Sequence, residues 1–118
     1  MLKQSAGLRI WLYRDPADMR RSYDGLAGLV EQVLRLDPFS GHWFVFTNRR
    51  RNRMKILCWE GDGFALWSKR LEAGTFVFPA GRGEIAAAEL QLILDGIEWK
   101  EVRRVPRFLR LSLHNTRS

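Results

Sequence analysis

His42-Trp43-Phe44-Val45-Phe46-Thr47, Asn48-Arg49-Arg50-Arg51-Asn52-Arg53, Met54-Lys55-Ile56-Leu57-Cys58-Trp59, then Glu60-Gly61-Asp62-Gly63 and Phe64-Ala65-Leu66-Trp67: this stretch, running on to Leu71, decides the fold. Its three apolar runs are rich in aromatic and β-branched residues and are bounded by turn chemistry, which predicts three antiparallel strands. Alternation places Leu57 and Trp59 on the face opposite Cys58. The loop between the first two runs is basic: Arg49 to Lys55 holds five cations and no acid. Like charges at that density repel and stay in water unless a polyanion arrives.

Upstream, Leu8 to Tyr13 has the composition of a short strand ending at the Asp15-Pro16 turn. Asp15 is placed to cap a helix, with Pro16 at its first position and Asp18 in its first turn. From Met19 to Leu36 the apolar positions Met19, Tyr23, Leu26, Leu29, Val30, Val33 and Leu34 recur at helical spacing. Gly25 and Gly28 inside that pattern suggest close backbone approach or a local break near Asp24, of which close packing is the preferred reading. Asp37 to Gly41 turns the chain into the central strands.

Downstream, Lys69 to Gly74 is expected to be a turn and Thr75-Phe76-Val77-Phe78 another strand, stopped by Pro79. Ala80 to Gly83 reads as a flexible connector. Ala86 to Asp95 reads as a second amphipathic helix with Ala86, Leu90, Ile93 and Leu94 inward, capped by Gly96 with Ile97 packing back. Past Trp99 arginine density rises and periodicity fades, so residues 103–118 are expected to form a mobile arm. The expected fold class is α+β: one domain, a mainly antiparallel sheet of about five strands with two amphipathic helices, over residues 1–100, and a basic C-terminal tail over 101–118.

Composition agrees with a single folded domain, at 118 residues with 46% hydrophobic and 12% aromatic content. The net charge is +7. It is concentrated in the basic loop and in Arg103, Arg104, Arg107, Arg110 and Arg117; without those two segments the chain is slightly acidic. Such segregation points to an anionic partner, nucleic acid first. For any single arginine a solubilising surface is the simpler account. A cluster on a loop between strands is where binding residues are commonly carried.

Catalytic signals are sparse. Cys58 is the only cysteine, which precludes an internal disulfide and fits a buried structural thiol. His42 and His114 have no local nucleophile signature around them. There is no P-loop, no Gly-rich dinucleotide turn and no His-Glu metal helix, so no cofactor is expected. Asp24, Glu60 and Asp62 could converge on a divalent metal, as in a nuclease. Asp62-Gly63 is also an ordinary hairpin pair, and Asp24 an ordinary solvated helix residue. Trp11, Trp43, Trp59, Trp67 and Trp99 could stack on bases, but aromatics in strands serve a core more often. No apolar run approaches the ~18 residues that span a bilayer and no signal-peptide core is present, so a cytoplasmic protein without a membrane partner is expected.

A family resemblance rests on several linked motifs. Asp18-Met19-Arg20-Arg21 through Asp24-Gly25-Leu26-Ala27-Gly28-Leu29-Val30, then Asp37-Pro38-Phe39-Ser40-Gly41-His42-Trp43-Phe44-Val45-Phe46, resembles the Orf2-type TnpB accessory protein of the bacterial insertion-sequence family numbered sixty-six. Arg49 to Lys55, Trp59-Glu60-Gly61-Asp62-Gly63-Phe64, Lys69-Arg70-Leu71-Glu72 with Gly74 and Phe76, and Leu94-Asp95-Gly96-Ile97 with Trp99 continue it in order and spacing. Cys58 departs from it, standing where an aromatic is common, and the arginine-rich tail lies beyond it. The resemblance implies an accessory role in transposition beside a separate transposase and a further accessory protein, and it lends no catalytic residue.

Together these readings give a non-catalytic transposition factor that binds DNA through Arg49, Arg50, Arg51, Arg53 and Lys55. Arg20, Arg21, Lys69 and Arg70 are second-rank contacts flanking the same sheet. A protein adaptor docking on the transposase and a metal-dependent nuclease are the alternatives.

Overall fold

The aromatic meander forms as its alternation requires. In the computed structural model, which describes residues 7–81 and 83–95, β2 (Trp43–Thr47), β3 (Arg53–Trp59) and β4 (Phe64–Arg70) pair antiparallel, with Val45 opposite Ile56 and Ile56 opposite Trp67. At the β3–β4 turn the Glu60 amide donates to the Gly63 carbonyl at 2.9 Å, and Gly61 has φ 94°. The central pair of that hairpin is therefore Gly61–Asp62, one residue earlier than the Asp62–Gly63 pair expected. Glycine supplies the positive φ needed at the first central position.

β1 (Ile10–Leu12) runs parallel to β2, and β5 (Glu84–Ile85) pairs antiparallel with β1, giving the sheet order β4-β3-β2-β1-β5. The sheet is mainly antiparallel and the class is α+β, as expected. The identity of the last strand differs. Thr75–Phe78 is extended but outside the sheet ladder: the Phe76 amide donates to the Arg51 carbonyl at 2.6 Å, and the Phe76 ring, 1% exposed, anchors the segment in the core. It is a strap held by the Phe76 ring and this backbone bond, with Phe78 packed partly buried against the same core, and β5 forms beyond the expected connector.

Helices cover both faces. On one, α2 (Ala87–Leu94) brings Leu90 and Ile93 onto Ile10, Leu12, Val45, Met54 and Ile56. On the other, α1 (Tyr23–Leu29) brings Leu26 and Ala27 onto Phe44, Phe46 and Leu57. Cys58 and Leu57 thus fall on opposite faces, as alternation requires. The start of α2 is secured by the Glu89 carboxylate, which accepts the Ala86 amide at 2.7 Å. Ala86 is exposed rather than inward. Gly96 and Ile97 lie outside the described residues, as do Trp99 and the tail.

The first helix departs most from its periodicity. It begins at Tyr23, not after Asp15, because the preceding chain continues along β2, with the Ala17 amide on the Thr47 carbonyl at 2.8 Å. Asp18 accepts the Arg20 amide at 2.9 Å, a local turn that competes with helix. After Leu29 the helix widens to a π turn over Val30–Leu34, then stops at Arg35 (φ 58°) with the Leu36 amide on the Val30 carbonyl at 3.1 Å. The inserted residue rotates Val33 off the buried stripe, to 51% exposure, and Leu34 packs in its stead. Tyr23, expected inward, is 45% exposed at the helix start.

Close backbone approach is found at neither glycine: the atoms nearest an added Cβ at Gly25 belong to the exposed Arg21 side chain, from 3.2 Å, and at Gly28 there is nothing within 4 Å. Gly28→Ala is therefore expected to raise stability by about 0.5–1 kcal/mol, through reduced backbone entropy in the unfolded chain. A denaturant midpoint that falls in this variant would contradict the open space. No helix among the described residues is long and apolar enough to cross a membrane.

Candidate nucleic-acid interface

The β2–β3 turn is basic but not loose. The Asn48 side-chain oxygen accepts the Asn52 and Arg53 amides at 3.1 and 3.0 Å, and its amide nitrogen donates to Asn52 Oδ1 at 2.7 Å. Backbone bonds from Asn48 N to Arg53 O (3.2 Å) and from Arg51 N to Asn48 O (3.0 Å) complete the turn. Arg51 sits in the left-handed region at φ 56°. That conformation costs a non-glycine residue about 1 kcal/mol or more, and the asparagine clamp offsets it.

The five expected loop contacts divide in two. Arg49, Arg50 and Arg53 are exposed and make no ion pair with a described residue. Arg51 folds back, half-buried: its guanidinium donates to Thr47 Oγ1 (3.4 Å) and the Arg14 carbonyl (3.2 Å) and lies 4.6 Å from the Phe78 ring centroid. Burial, and then the nearby Arg14 charge, lower its pKa from the ordinary guanidinium value. Lys55 Nζ donates to the carbonyls of Met19 (2.7 Å) and Arg21 (2.9 Å), tying the segment before α1 to the sheet. Arg51 and Lys55 therefore hold structure together.

The second-rank residues sort by face. Arg53 lies opposite Arg70 in the β3–β4 register, two positions from Lys55, so these three share the α1 face. Lys55 brings the Arg20–Arg21 segment to the same side. Arg70 is paired with Glu72 at 3.1 Å and Arg20 with Asp18 at 2.7 Å, both in the open. Exposed pairs of this kind add little stability and exchange readily for another anion. Donation from the Arg20 guanidinium, then from its amide, lowers the Asp18 pKa from 3.8 to about 2. Lys69 lies on the α2 face, with Nζ 3.5 Å from the Leu94 carbonyl at the helix end, apart from the rest. What results is a pinned basic edge formed by Arg49, Arg50 and Arg53, with Arg70, Arg20 and Arg21 beside it.

A family model described as IS66 Orf2-like protein matches residues 8–104. The chain belongs to the IS66 Orf2-like family. Two relatives from Sinorhizobium fredii (strain NBRC 101917 / NGR234) agree in length. The uncharacterized protein y4jC is 38% identical over 109 residues, 90% of this chain and 93% of its own. The uncharacterized protein y4hO is 37% identical over 103 residues, 85% and 90%. No solved structure matches. Membership in the IS66 Orf2-like family points to an accessory role in transposition.

The features that bear on the alternatives lie elsewhere in this IS66 Orf2-like chain. Among the described residues no three His, Cys, Asp or Glu side chains gather as a metal set, so Asp24, Glu60 and Asp62 do not form one. Cys58 is buried, its thiol 3.5 Å from the Gly41 carbonyl, and burial followed by the Glu60 charge pushes its pKa up. His42 Nδ1 accepts the Arg9 amide at 3.0 Å, a structural use of the ring. Trp11, Trp43 and Trp67 pack partly buried against the two cores. Sequence reading missed Arg14 and the clamp role of Asn48 and Asn52. Two asparagines flanking a tight basic turn are the signal that could have found the clamp.

Proposed function

We propose that this protein is a non-catalytic accessory factor of IS66-type transposition that holds DNA by its phosphates and works beside the element's transposase. The observation that carries the reading is the set of exposed guanidinium groups of Arg49, Arg50 and Arg53 on a turn the Asn48 clamp keeps in one shape. Guanidinium groups so placed match phosphate oxygens, and pre-ordering spares the entropy a floppy loop would lose on binding. None of the three is on an element suited to enter a groove, so the contact is to backbone rather than to bases, and sequence choice comes from elsewhere. Arg21 extends the basic surface, as do Arg20 and Arg70 once their exposed partners Asp18 and Glu72 yield. The arginine-rich segment 101–118 adds non-specific attraction.

Duplex titrations at several salt concentrations test this. With three phosphate contacts, log affinity against log salt should slope at about −2.7, and changing Arg49, Arg50 and Arg53 together to Ala should flatten it by about that amount. A chain ending at Lys100 separates loop from tail. Binding that survives the triple change and disappears with the truncation would move the contact to the tail.

One observation favours the adaptor alternative. At the opposite end of the sheet Phe39 is 54% exposed, and its ring lies 5.0 Å from Trp59 and 5.3 Å from Phe64 between centroids. Exposed aromatic clusters anchor protein partners. If no DNA is bound while Phe39→Ser abolishes capture by the purified transposase, the adaptor reading replaces the DNA-binding one.

A further inference from the structure

The sheet order leaves β4 at an edge, and among the described residues no strand pairs with its outer side. β4 runs for seven residues, contains no proline and keeps an unbroken register with β3, from Arg53 opposite Arg70 to Trp59 opposite Phe64. Long regular edges of this kind are usually shortened, bulged or covered, because their free backbone groups accept another strand. The other edge, β5, is only two residues long. We infer that β4 is a dimerisation edge, on which β4 of a second copy of this chain pairs antiparallel about a two-fold axis at Leu66. The inference goes beyond the DNA-binding reading and does not depend on it.

Two backbone bonds determine which groups of β4 face outward. At one end of the β3–β4 pair the Glu60 amide donates to the Gly63 carbonyl at 2.9 Å, and at the other the Leu71 amide donates to the Asn52 carbonyl at 2.8 Å. Antiparallel ladders alternate bonded and non-bonded pairs, so counting inward from either end gives the same answer. Ala65, Trp67 and Lys69 turn their backbone groups to β3, while Phe64, Leu66, Ser68 and Arg70 turn theirs to the free side. Each of the latter presents both an N–H and a C=O there, the template on which strand addition is built.

The side chains explain why the partner is a second copy. Glu60 and Asp62, before the strand, are exposed acids; its first half, Phe64 to Trp67, is apolar and half-buried; its end, Lys69 and Arg70, is cationic and exposed. An antiparallel copy reverses that order, so acid meets cation at both ends, whereas a parallel copy would set like against like. With Leu66 on the axis, Leu66 meets its own counterpart and Ala65 lies opposite Trp67 of the second copy, small beside large. The same register brings Asp62 of each copy beside Arg70 of the other, so the ion pair forms twice. Asp62 makes no ion pair with a described residue, and Arg70 is paired with the exposed Glu72, a partner that exchanges readily. Lys69 and Arg70 also reject strands that bring no acid, the usual defence of an edge against indiscriminate pairing. In the dimer Arg70 serves the interface, while Arg49, Arg50 and Arg53 lie off this edge.

Sedimentation equilibrium on the full chain, freed of nucleic acid, should give a mass that rises with concentration toward that of two chains. Asp62→Arg sets cations together at both ends of the interface and should weaken dimerisation about tenfold or more. Asp62 does not have a positive φ, so the turn admits the change. Arg70→Asp should weaken the dimer similarly, and the two changes combined should recover most of the lost affinity, a result that damage to the fold could not imitate. A full chain that stays monomeric through the submillimolar range would overturn the inference. So would a dimer that neither single change weakens, or one that the combined variant fails to restore. Should the chain prove monomeric, hydrogen exchange at the Phe64, Leu66 and Ser68 amides identifies what replaces the second copy. Protection in the free chain would assign the edge to another segment of the same chain, and protection only with purified transposase would assign it to that protein.

Discussion

Leu26→Ala should lower the free energy of unfolding by about 2–5 kcal/mol, the range for truncating a fully buried leucine whose surroundings relax only in part. Leu26 is 0% exposed, facing Phe44, Phe46 and Leu57 across the α1 interface. The informative comparison lies along the same helix. Leu29 is only partly buried, so Leu29→Ala should cost clearly less, and Val33→Ala, at a site 51% exposed, should stay within about 0.5 kcal/mol of the parent. A straight α-helix would bury Val33 with Leu26 and Val30, so this gradient reports the π turn directly. Denaturant midpoints for the three variants decide it, and a Val33→Ala cost equal to that of Leu26→Ala would refute the rotation.

Asn48→Ala is the second large effect, and it joins stability to binding. One side chain accepts two backbone amides and donates to Asn52, and no water-facing substitute restores that pattern to a turn whose Arg51 is left-handed. The expected loss is about 1–3 kcal/mol, as amides of the turn lose their acceptor. DNA affinity should also fall, while the slope of log affinity against log salt stays near its parent value, because Asn48 positions the phosphate contacts and makes none. A slope flattened as much as in the Arg49, Arg50 and Arg53 variant would show that Asn48 acts otherwise.

How much of this could be read from residues alone differs by element. The β2–β3–β4 meander was legible because aromatic and β-branched runs agree there with turn residues, asparagine at the first turn and glycine at the second. The fifth strand was not: Glu84–Ile85 is too short to carry a pattern, while Thr75–Phe78 has strand composition yet is retained by the burial of Phe76. The parallel pairing of β1 with β2 depends on a crossover that no local signal announces. In the basic turn, charge was visible and orientation was not. Arg51 and Lys55 are drawn inward by carbonyls of Arg14, Met19 and Arg21, and backbone acceptors so distant in the chain leave no mark on side-chain spacing. Arg14 escaped notice for the same reason, being an isolated arginine until the fold sets it beside Arg50 and Arg51.

The placement of β1 has a kinetic consequence. The meander closes through short turns, but β1 must reach a partner beyond α1 on one side and another near the far end of the described chain on the other. Loop-closure entropy makes such long-range pairings late events, so the meander should assemble first and the β1–β5 ladder with α2 last. In reverse, the late-forming edge opens most easily, and amides of β5 should exchange with solvent ahead of those of β3. The Asn48 clamp lies within the early unit, so the turn that presents Arg49, Arg50 and Arg53 keeps its shape while the far edge of the sheet breathes.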